Sequence, residues 1–173
     1  SHVAAGPGSR SRDTGGMEAP PGLLTADDLY LFNEGTHERL YRKLGSHLMS
    51  ADGRQGTCFA VWAPNARHVS LIGDFNGWNK ESHPLQPREN SGIWECFVPG
   101  IEPGTLYKYH IVSAREDYRV DKPDPFGFRY EIAPRGASIV WDLDYDWQDG
   151  DWMSARERRS AIDAPISIYE VHL

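Results

Sequence analysis

The sequence has no apolar run near the roughly 18 residues that a membrane-spanning helix needs. Cysteine is scarce: only Cys58 and Cys96 occur in 173 residues. Two cysteines do not make a disulfide framework. Without a CxxC pair or a histidine cluster, no zinc or other metal site is expected. Each cysteine sits in an apolar run, CFAVW or IWECFV. The reading is two buried thiols, with a disulfide left open. Positive charge is also short, the formal net charge being −7. That balance argues against nucleic acid and against an anionic membrane surface as partners. The N-terminus lacks the basic stretch and apolar core of a signal peptide. Together these absences point to a cytoplasmic protein. No repeat at a solenoid period is present.

What remains fits a soluble globular domain: 39% hydrophobic and 25% charged residues. Residues 1–22, rich in Gly, Ser, Pro and Ala, cannot bury enough apolar surface to offset their ordering entropy and read as a disordered tail or linker. Residues 23–45 read as a helical lead-in. Thr25 and Asp28 form a capping box for a helix over 25–33 that stops near Gly35. In HERLYRKLG, Leu40, Tyr41 and Leu44 make a small apolar face before Gly45. Residues 46–142 carry a β pattern. HLMS and TCFAVWAP flank a turn at Asp52-Gly53. CFAVW is apolar on both faces, so that strand should be covered on both sides. LYKYHIV puts Tyr107, Tyr109 and Ile111 on one face, with Lys108, His110 and Val112 on the other. DYRVD and ASIVWD are the last candidate strands. Short strands divided by Gly, Pro and Asn turns predict an all-β, antiparallel Ig-like sandwich. Residues 143–164 read as a linker with one helical turn over 152–159, and 165–173 as the start of another strand.

The stretch VSLIGDFNGWN, residues 69–79, carries the most information. A strand delivers a glycine-containing loop that holds Trp78 beside Asn76 and Asn79. This resembles the starch- and glycogen-binding modules of branching enzymes, debranching enzymes and the β subunit of the AMP-activated kinase, carbohydrate-binding module family 48. YKYHI (107–111) and DKPDPFGF (121–128) are similar to the strand and the Asp-Pro stretch of those modules. DLYLFNEGTHERLYRKLGSH (28–47), FAVWAPNARHVSLIGDFNGWN, GIWECFVPGIEPGTLYKYHI and the closing SIYEVHL resemble bacterial 1,4-α-glucan branching enzymes of glycoside hydrolase family 13. The likeness covers roughly residues 24–173. A debranching or trehalose-forming hydrolase is the alternative parent.

In that family YEVHL opens the (β/α)8 catalytic barrel. The resemblance therefore places the catalytic pair, two carboxyls about 5 Å apart, beyond Leu173. No catalytic residue and no cofactor is expected in this chain. A barrel strand without its barrel is an exposed edge, so SIYEVHL should be disordered or paired to another edge. The implied partners are α-1,4-glucan or glycogen chains and the parent's own barrel.

The sugar-binding candidates are Trp78, Asn76, Lys108 and Tyr118. A glucose ring offers an apolar C–H face for an aromatic and hydroxyls for polar groups. Trp78 either stacks on sugar or packs against the sandwich edge or the barrel. Asn76 can both donate and accept toward a sugar, or can shape its loop through an Asx turn. Lys108 is a hydroxyl donor by the resemblance, or an ordinary surface lysine. Tyr118 lies near the kinase module's second stacking aromatic. Trp62 and Trp94, inside strands, read as packing residues. Trp147 and Trp152 read as docking on the barrel. His68, His83 and His110 read as packed or solvated. If sugar binding has been lost, the alternative role is a rigid brace for the barrel.

Overall fold

Thr25 caps the first helix as its side chain predicts. Its Oγ accepts from the Asp28 amide at 3.1 Å, and Asp28 Oδ2 accepts from the Thr25 amide at 2.9 Å. The helix α1 runs Ala26–Glu34 and ends at Gly35, which is left-handed. This computed structural model describes residues 21–115, 118–159, 165 and 167–171. The readings placed on 1–20, 160–164, 166 and 172–173 (tail, end of linker, parts of the last strand) lie outside the described residues. The chain divides into two units between Asp142 and Leu143.

In the first unit a 3₁₀ turn, Leu40–Arg42, leads into the strands. They are β1 (Gly45–Ala51), β2 (Arg54–Trp62), β3 (Ala66–Gly73), β4 (Gln86–Pro87) and β5 (Ile93–Pro99). Then follow β6 (Leu106–Ser113), β7 (Arg119–Lys122), β8 (Arg129–Tyr130) and β9 (Ser138–Ile139). One sheet has the order β1-β2-β5-β4, the other β3-β6-β9-β8 with β7 also on β6, and all pairs are antiparallel. The all-β sandwich is as the sequence predicts. Asp52 and Gly53 close the β1–β2 hairpin with φ of 51° and 73°, the two-residue turn whose twist suits antiparallel strands.

Two apolar clusters explain why β2 is covered twice. Phe59 and Val61 face Val69, Leu71, Tyr107 and Tyr109 between the sheets. On the other face Ala60 joins Ile93, Leu44, Leu24 and Leu29, so the lead-in roofs the first sheet. Each such large side chain stabilises by about 1.5–3 kcal/mol. Tyr41 departs from its expected place: it is 51% exposed, and the 3₁₀ turn leaves it beside Arg42 instead of on the sheet.

Cys58 and Cys96 are both free thiols. Cys96 stands opposite Phe59 and Cys58 opposite Phe97, so the two point to opposite faces and no disulfide forms. Burial pushes the Cys96 thiol up to about 12, and Cys58 also upward, so both stay protonated.

The last candidate strand of the first unit, ASIVWD, pairs only at Ser138–Ile139. In the second unit the expected single helical turn is a ten-residue helix, α2, Gly150–Arg159. Residues 167–171 form no strand, with Ile168 and Tyr169 exposed. Among the described residues no helix is long and apolar enough to cross a membrane.

Candidate functional site

Gly73 leaves β3 into the DFNGW loop. Asp74–Asn76 form one 3₁₀ turn, and Gly77 and Trp78 follow with φ of 62° and 61°. A left-handed tryptophan is uncommon and must be held by its surroundings. The Trp78 amide donates to Gly73 O at 2.8 Å. Asn76 does the rest. Its Oδ1 accepts from the Gly73 amide at 3.0 Å, and its Nδ2 donates to Leu71 O at 3.1 Å and Ser82 Oγ at 3.0 Å. The Asn76 amide is thus committed to the loop, while the Trp78 side chain stays 39% exposed.

Lys108 lies at the same end of the sheet. Its strand partner is Ile72, next to the Gly73–Tyr107 pair from which the loop springs. Lys108 Nζ donates to Arg135 O at 3.1 Å. Tyr118 lies at the other end of β6, where its carbonyl accepts from the Ser113 amide at 2.9 Å. Five residues of strand between Lys108 and Ser113 span on the order of 16 Å. The structure therefore groups Trp78, Asn76 and Lys108 at one end and sets Tyr118 apart.

What joins Tyr118 is Trp62. A groove of about 560 Å³ runs between the end of β2 and the β6–β7 hairpin. Val61 and Ile111 line it, with Trp62, Pro64, Tyr118 and Lys122 around them. Trp62 is 54% exposed and Tyr118 59%. Sequence reasoning placed Trp62 in packing because it ends a buried strand. Cys58 and Ala60, on the same face of β2, lie under the lead-in, but at Trp62 that cover gives way to an edge contact with Phe32 at 6.1 Å. The available signal was Trp62 standing just before the Ala63-Pro64-Asn65 turn, where a strand leaves its sheet. Trp94, by contrast, does pack, and its indole N–H donates to Ala63 O at 3.1 Å. Among the described residues no group of three or more His, Cys, Asp or Glu is placed to hold a metal ion.

The model of carbohydrate-binding module 48, described as the isoamylase N-terminal domain, matches residues 43–127. These residues are a family 48 carbohydrate-binding module. The 1,4-alpha-glucan branching enzyme GlgB of Rubrobacter xylanophilus is 54% identical over 88% of this chain and 21% of its own length. That of Aquifex aeolicus is 53% identical over 87% of this chain and 24% of its own. The chain thus spans about a fifth to a quarter of the length of these curated relatives. Among solved structures, ligand-free PulA from Klebsiella pneumoniae matches with a TM-score of 0.49 and 24% identity, over 60% of this chain and 10% of that one. The module's span holds Trp62, Asn76, Trp78, Lys108 and Tyr118. It excludes α1 and the residues before it, which supply Leu24 and Leu29 to the roof over β2.

Proposed function

We propose that this module holds α-1,4-glucan chains of glycogen or starch, with the Trp62–Tyr118 groove as the principal contact. The supporting observation is the pairing itself. Two aromatics, each more than half exposed, flank an apolar-lined groove. Exposed rings of this kind match the C–H faces of glucose, and Lys122 at the rim can donate to hydroxyls. Trp78 adds a second stacking surface at the far end of β6, with Lys108 beside it as a hydroxyl donor. Asn76 acts on Trp78 by shaping its loop. Single sugar contacts are weak, so retention on a branched polymer comes from several contacts at once. The whole protein, on this reading, is a 1,4-alpha-glucan branching enzyme that cleaves an α-1,4 bond and moves the cut chain to a 6-hydroxyl.

Affinity electrophoresis in glycogen gels tests the binding. The wild-type chain is expected to be retarded. Trp62→Ala or Tyr118→Ala should each weaken retention by about 10-fold, the equivalent of one lost stacking contact, and Trp78→Ala by less. A wild-type chain that migrates freely, or a triple variant retarded as strongly as wild type, sinks the proposal.

A second reading, a brace for a following catalytic domain, draws on the second unit. Leu143, Tyr145, Trp147, Trp152 and Met153 are all exposed there, an apolar stretch suited to packing on the remainder of a longer chain. On this reading SIYEVHL pairs as a strand only when that remainder is present.

A further inference from the structure

The β6–β7 hairpin has two faces, and the second carries a different cavity. Strand alternation sends Tyr118 and Lys122 to the aromatic groove, and Arg119 and Asp121 to the outer face of the sheet. There a hollow of about 510 Å³ opens over β3, β6 and β7. Its size falls within the roughly 300–1,000 Å³ of small-ligand pockets. His110, only 5% exposed, lies at its base, with Nδ1 2.6 Å from Asp121 Oδ1. Lys80 reaches in from the loop that carries Trp78 and meets Asp121 Oδ2 at 3.1 Å. His68, which hydrogen-bonds Ser70 Oγ at 2.8 Å, Glu81 and Arg119 complete the polar wall.

The charges decide the class of ligand. A free anion would meet the carboxylates of Glu81 and Asp121, and a cation would meet Lys80 and Arg119. A neutral polyhydroxylated molecule meets neither penalty. Each of its hydroxyls donates and accepts, and the wall offers carboxylate acceptors interleaved with cationic donors. We propose that this outer-face cavity is a second saccharide subsite, binding a glucan by its hydroxyl edge while the aromatic groove binds by ring faces. The subsite rests on the glucan-binding reading above but uses none of the groove's side chains to bind. Two subsites back to back on one hairpin let a single module hold two chain segments, which raises retention by effective concentration.

Amide shift mapping of the 173-residue chain with maltoheptaose tests this. In Trp62→Ala, maltoheptaose is expected still to move the amides of His68, His110, Arg119 and Asp121. Arg119→Ala and Asp121→Asn should each weaken that response by about 5-fold, with the spectrum elsewhere showing an intact fold. Shifts confined to the groove in the wild-type chain overturn the second subsite and leave the groove reading standing. A stronger response of the outer face to inorganic phosphate than to maltoheptaose makes it an anion site and also overturns the proposal. No shift on either face in the wild-type chain removes both readings.

Discussion

Replacing Glu95 by alanine is expected to destabilise the chain by about 3–5 kcal/mol, the usual penalty for leaving one half of a buried ion pair. Glu95 is 1% exposed in the middle of β5. Its Oε2 pairs with Arg88 Nη1, and its Oε1 accepts from the Leu23 and Leu24 amides at 2.7 and 3.2 Å. Arg88 Nη2 in turn donates to Leu24 O at 2.8 Å, and Lys43 Nζ to Leu23 O at 2.9 Å. The lead-in is therefore bolted to the first sheet by one carboxylate. In Glu95→Ala the guanidinium stays buried without its partner and two backbone N–H groups lose their acceptor. Urea unfolding should show the loss of stability. Hydrogen exchange should show protection vanishing first at Leu23 and Leu24 while the β3–β6 ladder keeps its own. Making Arg88→Met as well should recover part of the loss, because the orphaned charge goes too. A single Glu95→Ala variant within about 1 kcal/mol of wild type would show that the clamp does not hold the lead-in.

Asp124→Ala should be of similar size, about 4 kcal/mol, from several hydrogen bonds broken in a buried place. Tyr107 and Tyr109 are both fully buried, and their hydroxyls donate to Asp124 Oδ2 at 2.8 and 3.0 Å. Oδ1 accepts from the Phe126 amide at 2.8 Å, and the Asp124 carbonyl accepts from Tyr130 Oη at 2.6 Å. Burial raises the Asp124 pKa, and the hydrogen bonds from Phe126, Tyr107 and Tyr109 only partly oppose it. A raised folded-state pKa means that the folded chain holds the proton more tightly than the unfolded one. The stability from this group is then full below its unfolded value of roughly 4 and is lost as pH rises through the folded value. Asp124→Asn keeps the shape and should be mild. The advantage of wild type over Asp124→Asn should be larger at pH 3 than at pH 7. Urea midpoints of the two proteins at both pH values measure it. An advantage that grows with pH would reverse the sign and contradict the buried-acid account.

Neither carboxylate announced itself. IWECFV reads as an apolar strand with one polar position, and DKPDPFGF as a turn-rich stretch. A tyrosine's apolar ring can be assigned to a core from periodicity, as Tyr107 and Tyr109 were. The partner its hydroxyl needs once buried comes from 15 to 17 residues away and obeys no local pattern. The same limit governs the binding surface. Trp78 was legible because Gly77 and the Asx chemistry of Asn76 are local, and the loop forms as those residues dictate. Trp62 was not legible, because exposure at the end of a buried strand depends on how far the lead-in reaches across the sheet.

Alternation, turn residues and the Thr25–Asp28 cap were enough to determine from sequence alone an antiparallel sandwich with a helical lead-in. The order of four motifs along the chain was enough for its family. These are properties of neighbours within a few positions, where backbone geometry and side-chain period act directly. Which side chains meet was decided by the tertiary structure alone. The pairing of β2 with both β1 and β5, and of β6 with both β3 and β7, brings Glu95 beneath Leu23 and Leu24, Asp124 beneath Tyr107 and Tyr109, and Trp62 within a groove's width of Tyr118. Those meetings depend on register between segments far apart in the chain, and a one-residue slip would turn each side chain to the opposite face.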